Sequence, residues 1–230
     1  MEKFFSLRAE KQEHIINAAF SVFGKSGYKK ASVADIAAEA GIAKGMVIYY
    51  FGSKKNLYLY LVDLSGRVMT EELERQLDPG VTDFFDKMKM MSDIKLSVMK
   101  RHPALMSFLA GVYYETDDEV TAHLAGFMEK GLETRQKMVL RTTDTSRLKD
   151  DVDPKLLDKF LVWAGEGFGN DLLKNGGMDK AEEHMGDFYK ILGLMKKYFY
   201  KTDYLGGNEN GGTESGNCQD VEEVRQVHRA

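Results

Sequence analysis

The sequence predicts an all-α protein in which a small helix-turn-helix head is joined by a fourth helix to a larger helical body. Three observations lead there. Apolar residues recur at helical spacing through most of the chain, no convincing run alternates apolar and polar as a strand would, and only three prolines interrupt 230 residues. With 43% hydrophobic content the chain can bury a sizeable core, as one large domain or two smaller ones.

The first helix is expected over about Arg8 to Lys25, with Ile15, Ala19 and Phe23 on one stripe, Ile16 and Phe20 beside it, and Gly27 ending it. Ser32 opens the next. Its hydroxyl can accept from the free amides of a helix start, and Asp35, three residues on, can reach back. Val33, Ile36, Ala37 and Ala40 then fall at i, i+3, i+4 and i+7, one apolar stripe on a helix so short that it must lean on neighbours. Gly41 stands where the chain leaves that helix, through a left-handed conformation that costs glycine nothing, and Ile42 can plug the crook of the turn. From Lys44 to about Tyr50 a second short helix turns Val47 and Phe51 toward the first. Lys44, Gly45 and Met46 are left at its exposed N-terminal end.

Two short helices pinched at a glycine point to double-stranded DNA. An α-helix fits the major groove, and the N-terminal residues of the second helix of such a pair meet the base edges. Lys44 can donate to guanine O6 or N7, and Gly45 lets the backbone approach a base closely. Tyr49, Tyr50 and Lys54 suit phosphate contacts, which fix register without reading sequence.

From roughly Glu10 to Leu61 the chain shows an apolar first helix ending in FGKSGY, then AS, IAAEAGIAKG across the turn, YYF closing the second short helix and SKKNLY opening the fourth. This string resembles the N-terminal domain of TetR-type (tetracycline-repressor-like) transcriptional regulators. The resemblance implies that Ser32, Lys44, Gly45, Tyr49, Tyr50 and Lys54 contact DNA, with Met46 facing the same groove. Two positions depart from the pattern: Ile48 stands where an aromatic is usual, and Ala43 where a serine often caps the recognition helix.

Beyond the head, Ser53 is a good N-cap for a fourth helix carrying Leu57, Leu61, Leu64 and Val68, broken by Asp78-Pro79-Gly80. Helical patterns follow at about Thr82 to Lys100, Pro103 to Glu115, Glu119 to Leu140, Pro154 to Lys174 and Asp179 to Tyr200. Residues 141–153 read as a polar loop, and the Gly- and Asn-rich stretch from Thr202 as a flexible tail. The expected division is therefore 1–52 for the helix-turn-helix domain, 53–201 for an effector-binding and dimerisation domain, and 202–230 for a disordered tail.

Eleven of the thirteen methionines lie from Met69 onward, interleaved with aromatics. Flexible, polarizable side chains can repack around ligands of different shapes. A cavity for an apolar or aromatic effector is expected, with Met106, Phe108, Tyr113, Phe127, Trp163 and Phe168 as candidate lining. Asp153 and Pro154 start a helix cleanly, yet Gly165, Gly167 and Gly169 follow inside it, each costing about 1 kcal/mol relative to alanine. Close approach of another helix would offset that cost. Phe160, Trp163, Phe168, Leu192 and Met195 could form the apolar face of an intersubunit four-helix bundle. The resemblance implies the same homodimer.

Charge separates the regions further. Residues 1–60 hold nine Lys or Arg against five Asp or Glu, leaving 23 against 31 for the rest of a chain whose formal charge is −4. A basic head meets phosphates, and an acidic body stays off them. The single cysteine, Cys218, excludes an intramolecular disulfide and fits a reducing cytoplasm. Phe4 and Phe5 are followed at once by Arg8, Glu10 and Lys11, unlike a signal peptide, and the longest apolar run, Ala104 to Tyr114, is too short for a membrane. GEGFGND from Gly165 mimics a dinucleotide-binding pattern, but no strand precedes it. His14, His102, His123, His184 and His228 are dispersed, so neither a metal site nor a cofactor is expected. No nucleophile, base and orienting group assemble, so the chain is not expected to be an enzyme. The sequence thus reads as a homodimeric regulator, most simply a repressor, that binds a palindromic operator and is released by a small apolar or aromatic effector. The alternatives are a helical small-molecule binding protein or enzyme with a purely structural helix pair, and a DNA binder without effector.

Overall fold

The computed structural model describes residues 1–175 and 181–205. They form ten α-helices: α1 (Glu2–Phe5), α2 (Ala9–Lys30), α3 (Val33–Glu39), α4 (Lys44–Phe51), α5 (Lys54–Gln76), α6 (Phe84–Arg101), α7 (Pro103–Tyr113), α8 (Asp118–Leu140), α9 (Pro154–Asn175) and α10 (Ala181–Phe199). Among the described residues the only extended pairing is an isolated antiparallel bridge between Leu148 and Tyr200. The protein is all-α, as the periodicity predicts.

The helix boundaries follow from local chemistry. Ser32 Oγ accepts from the Asp35 amide at 3.1 Å and donates to Asp35 Oδ2 at 2.7 Å, so the aspartate returns to the cap through the hydroxyl rather than through a backbone amide. Gly41 has φ +60°, and the Ile42 amide closes on the Ala37 carbonyl at 3.0 Å, which ends α3 with its carbonyls satisfied. Ser53 caps α5 by accepting from the Asn56 amide at 3.0 Å. Ala43 offers α4 no side-chain cap.

Some boundaries differ from expectation. Gly27, at φ +70°, kinks the first long helix rather than ending it, and the chain resumes one more turn to Lys30. A four-residue helix, α1, precedes it and buries Phe4; one turn is too short to show a helical period. Asp83 caps α6 by accepting from the amides of Phe85 and Asp86, both at 3.0 Å, so α6 starts at Phe84 rather than Thr82. The polar loop 141–153 contains a 3-10 turn, Thr145–Arg147, and is tied to the end of α10 by Lys149 N–H on the Phe199 carbonyl and Lys201 N–H on the Arg147 carbonyl, each at 2.9 Å. A second 3-10 turn spans Thr202–Tyr204. The rest of the expected tail, with Cys218 and His228, lies outside the described residues, as does the expected start of the last helix at Asp179.

Apolar packing resolves into two cores. The first joins α1–α5 to α7 and the start of α8, with Ile15, Phe23, Ile36, Val47, Leu57 and Leu61 meeting Leu105, Phe108 and Val120. It runs on past residue 52. Gly24 lets α7 approach α2 closely: a Cβ there would lie 2.9 Å from Ser107 Oγ and 3.0 Å from the Phe108 nitrogen. The second core gathers Leu73, Met88, Met91 and Ile94 with Val139, Leu157, Leu161, Leu192 and Tyr200. Glu72 fastens α5 to α6, accepting from both terminal nitrogens of Arg101 at 3.0 and 2.8 Å and from Arg75 at 2.6 Å.

Candidate nucleic-acid interface and ligand cavity

Helix α4 buries one side and exposes the other, although both sides carry apolar residues. Val47 and Phe51 are buried against α3 and α5, while Lys44, Gly45, Ile48 and Tyr49 are exposed and Met46 is half-buried. A Cβ on Gly45 would meet nothing within 4 Å and its φ is unremarkable, so packing within the chain does not require glycine there. Lys44, Gly45, Ile48 and Tyr49 therefore share the exposed side, with Met46 at its edge against the core. The other expected contact residues sit elsewhere. The Ser32 hydroxyl is engaged in capping α3. Tyr50 is buried, its ring 6.2 Å from that of Phe4. Lys54 Nζ donates to the Tyr28 carbonyl at 2.8 Å and the Ala31 carbonyl at 3.3 Å and lies 4.4 Å from the Tyr28 ring centroid. It closes the kinked end of α2, where a cation meets unsatisfied carbonyls.

The same end of α2 touches the body. Tyr28 donates its amide to Glu115 Oε2 at 2.9 Å and its hydroxyl to Glu119. Burial and those carboxylates together push the Tyr28 phenol far above its usual range. Phe108 packs its ring 5.2 Å from both Phe20 and Tyr58.

Helices α5 to α10 surround a cavity of about 1310 Å³. Of the six residues expected to line it, Met106, Tyr113, Phe127, Trp163 and Phe168 do. Phe108 does not: it lies on the opposite side of α7, in the first core, because it falls two residues from Met106 and hence well around the helix. Methionines 69, 88, 91, 99, 128 and 138 also line the cavity. His123 Nε2 meets Asp63 Oδ1 at 3.0 Å across α5 and α8.

Charged side chains also line the cavity, and sequence reasoning missed Lys95, Arg135 and Glu166 among them, with Asp158 behind the wall as the partner of Arg135. Arg135 gives Nε and Nη2 to Asp158 Oδ1 at 3.2 and 3.0 Å, while its Nη2 and Nη1 also point at the sulfurs of Met88 and Met91 at 3.1 and 3.9 Å. Asp158 is fully buried and its Oδ2 has no partner. Burial raises the Glu166 carboxyl above its usual range, and burial with the nearby Glu166 charge pushes the Tyr113 phenol up to about 12. Lys95 is surrounded by protein yet faces the cavity; burial first, and Arg135 second, bring its ammonium down to about 8. The signal was present in the chain: Lys95 stands four residues after Met91, and Asp158 is flanked by Leu157 and Leu161, charges set into apolar stripes.

A second unpaired surface lies on the last two helices. Leu156, Phe160 and Trp163 on α9 and Ile191, Leu194 and Tyr198 on α10 are each between 52% and 64% exposed. They follow i, i+4, i+7 and i, i+3, i+7, so each helix shows one apolar stripe. Phe160 and Trp163 belong to it as expected, but Leu192 is buried and Phe168 and Met195 are turned inward, because they fall on the opposite arc of the same helices. Gly165 and Gly169 line the cavity, whereas Gly167 is exposed, with nothing within 4 Å of a Cβ. Among the described residues no group of three or more His, Cys, Asp or Glu could hold a metal, and no helix is long and apolar enough to cross a membrane.

An exposed second helix on a short helix pair, carried by a helical body with an internal cavity, is a helix-turn-helix head on a second helical domain. Residues 15–61 match the family of bacterial regulatory proteins, tetR family. Over 81% of its length the chain is 20% identical to the nucleoid occlusion factor SlmA of Shewanella loihica, covering 95% of that protein. It shares its fold with a TetR family transcriptional regulator from Chloroflexus aurantiacus, at 24% identity and a TM-score of 0.62 over 86% of this chain and 92% of that one. The regulator FadR from Bacillus subtilis, solved in complex with stearoyl-CoA, matches at 15% identity and a TM-score of 0.62 over 80% and 96% of the two chains.

Proposed function

We propose that this protein is a homodimeric repressor, its heads (residues 1–52) binding a palindromic operator and its body (53–201) releasing them when a small apolar or aromatic effector enters the cavity. The observation that carries the reading is the route between the two sites. Helix α5 carries the Ser53 cap beside the head and lines the cavity with Met69 and Leu73, and α7 lines it with Met106 and Tyr113 while pressing Phe108 against α2. A ligand that differs in affinity for two body conformations shifts the head by the same coupling, typically about 1–3 kcal/mol.

In this reading Lys44, Gly45 and Tyr49 enter the major groove, with Met46 beside them. Ser32, Tyr50 and Lys54 act by holding that helix in place, and the backbone around them serves phosphates. The exposed stripes of α9 and α10 pack against those of a second copy, which sets two recognition helices on successive grooves of the operator. The test is a salt titration of binding to the DNA upstream of the protein's own gene. A palindrome-containing fragment should be bound at about 50 mM salt and released as salt rises. Absence of binding there overturns the reading. Lys44→Ala should remove preference for the operator over unrelated DNA.

The similarity to a nucleoid occlusion factor favours one other reading, a DNA binder that acts at the nucleoid and needs no effector of its own. It would leave DNA affinity unchanged across a panel of apolar compounds.

A further inference from the structure

The body cavity contains more than an apolar lining. At the wall formed by α6 and α8, two cations, Lys95 and Arg135, line the cavity. Lys95 brings three N–H donors and, among the described residues, makes no hydrogen bond or ion pair. Arg135 satisfies two nitrogens on Asp158, and its Nη1 meets only the Met91 sulfur at 3.9 Å, a weak acceptor. Of the carboxylates nearby, Asp158 does not line the cavity, and Glu166 lies against the Tyr113 hydroxyl. Lys95 lies in the repelling field of Arg135 and in the attracting fields of Glu166 and Asp158, yet hydrogen-bonds to neither carboxylate. In a low-dielectric wall an oxyanion between Lys95 and Arg135 would satisfy both, and charge-assisted bonds of this kind are about twice as strong as neutral ones.

Resting on the reading of this cavity as the effector site, we propose that its ligand is a long-chain amphipath with an anionic head, the head held by Lys95 and Arg135 and the chain laid along the methionine-lined walls. A void of about 1310 Å³ is ample for such a chain. The charge narrows the field, because an apolar cation would have to place its head beside two cations. Carboxylate and phosphate heads share the required chemistry.

Trp163 is the single tryptophan and lines the cavity, so its emission reads occupancy once sedimentation at each titration point shows the oligomeric state unchanged, since the same residue belongs to the exposed stripe of α9. The probes are dodecanoate, dodecyl phosphate, dodecanol and dodecyltrimethylammonium, each titrated below its micellar concentration into the full chain. At least one of the two anions should bind about tenfold or more tighter than the alcohol or the cation, and whichever binds better identifies the head group. Lys95→Met should bring the anions to the level of dodecanol without changing dodecanol itself, and Lys95→Arg should keep the preference. Equal binding of all four probes, a preference for the cation, or an unchanged preference in Lys95→Met overturns the anion site while leaving the cavity reading intact. If none of the four perturbs Trp163, the cavity reading fails as well. Should Lys95→Met not fold, the ranking of the four probes on the unaltered protein decides.

Discussion

The core beneath the head and the core of the body are filled in different ways. Around the head, aromatic rings interlock: Phe4 with Phe51 at 4.8 Å, Phe23 with Tyr58 at 5.0 Å, and Phe108 with Phe20 and Tyr58 at 5.2 Å each. No charged side chain is buried among them. In the body, flexible methionines surround an open volume whose wall holds a lysine and an arginine, the arginine paired from behind by a buried aspartate. Interlocked rings tolerate little change in shape, whereas methionine repacks readily. The difference teaches that the room for side chains to rearrange is concentrated around the body cavity, while the core beneath the head is packed to resist it.

That contrast can be tested at graded cost. Phe108→Ala should lower stability by about 3–5 kcal/mol, because it hollows the contact by which α7 grips α2. Urea denaturation measures it, and a loss under 1 kcal/mol would show that head and body are only loosely joined. Phe160→Glu combined with Leu194→Glu should leave folding intact but yield monomers in sedimentation. Operator affinity should then drop about 100-fold, since the second head no longer binds at high effective concentration. Gly45→Ala should weaken operator binding about tenfold, as a methyl group enters the base contact, yet leave thermal stability unchanged or slightly raised. A stability loss instead would mean the glycine serves the fold.

The smallest effect concerns acid. Arg101 first, and Arg75 next, hold the Glu72 carboxyl at about 2, below its ordinary 4.5. A carboxyl depressed on folding contributes stability above its unfolded value and loses it as pH falls through the folded one. The link between α5 and α6 should therefore weaken between about pH 4.5 and 2, and Glu72→Gln should flatten that part of an acid unfolding curve.

The head was the more legible half in sequence. Ser32, Gly41 and Ser53 carry their roles in residue type alone, since a hydroxyl before a helix and a glycine after one have local physical causes. What stayed hidden there is tertiary. Nothing in the order of residues shows that Lys54 would fold back 26 positions to the Tyr28 carbonyl, or that Phe4 would join the core. In the body, helical periods located the helices but not their rotation. Phe108 therefore falls in the first core instead of the cavity and Leu192 inside instead of on the partner face, while Phe168, expected on both, lines the cavity alone, for a facing error of one or two residues turns a side chain from one surface to another. The charged wall of the cavity was missed because Lys95, Arg135 and Asp158 come from three helices, and only their packing brings them together.

Phe4 has a practical consequence. Its ring sits under Tyr50, Phe51 and Tyr60, so the first seven residues are part of the platform that carries α4. A fusion partner attached at the amino end would emerge beside the DNA-facing ridge and crowd it, and trimming that end would strip three aromatic rings of their cover. An affinity handle belongs at the other terminus.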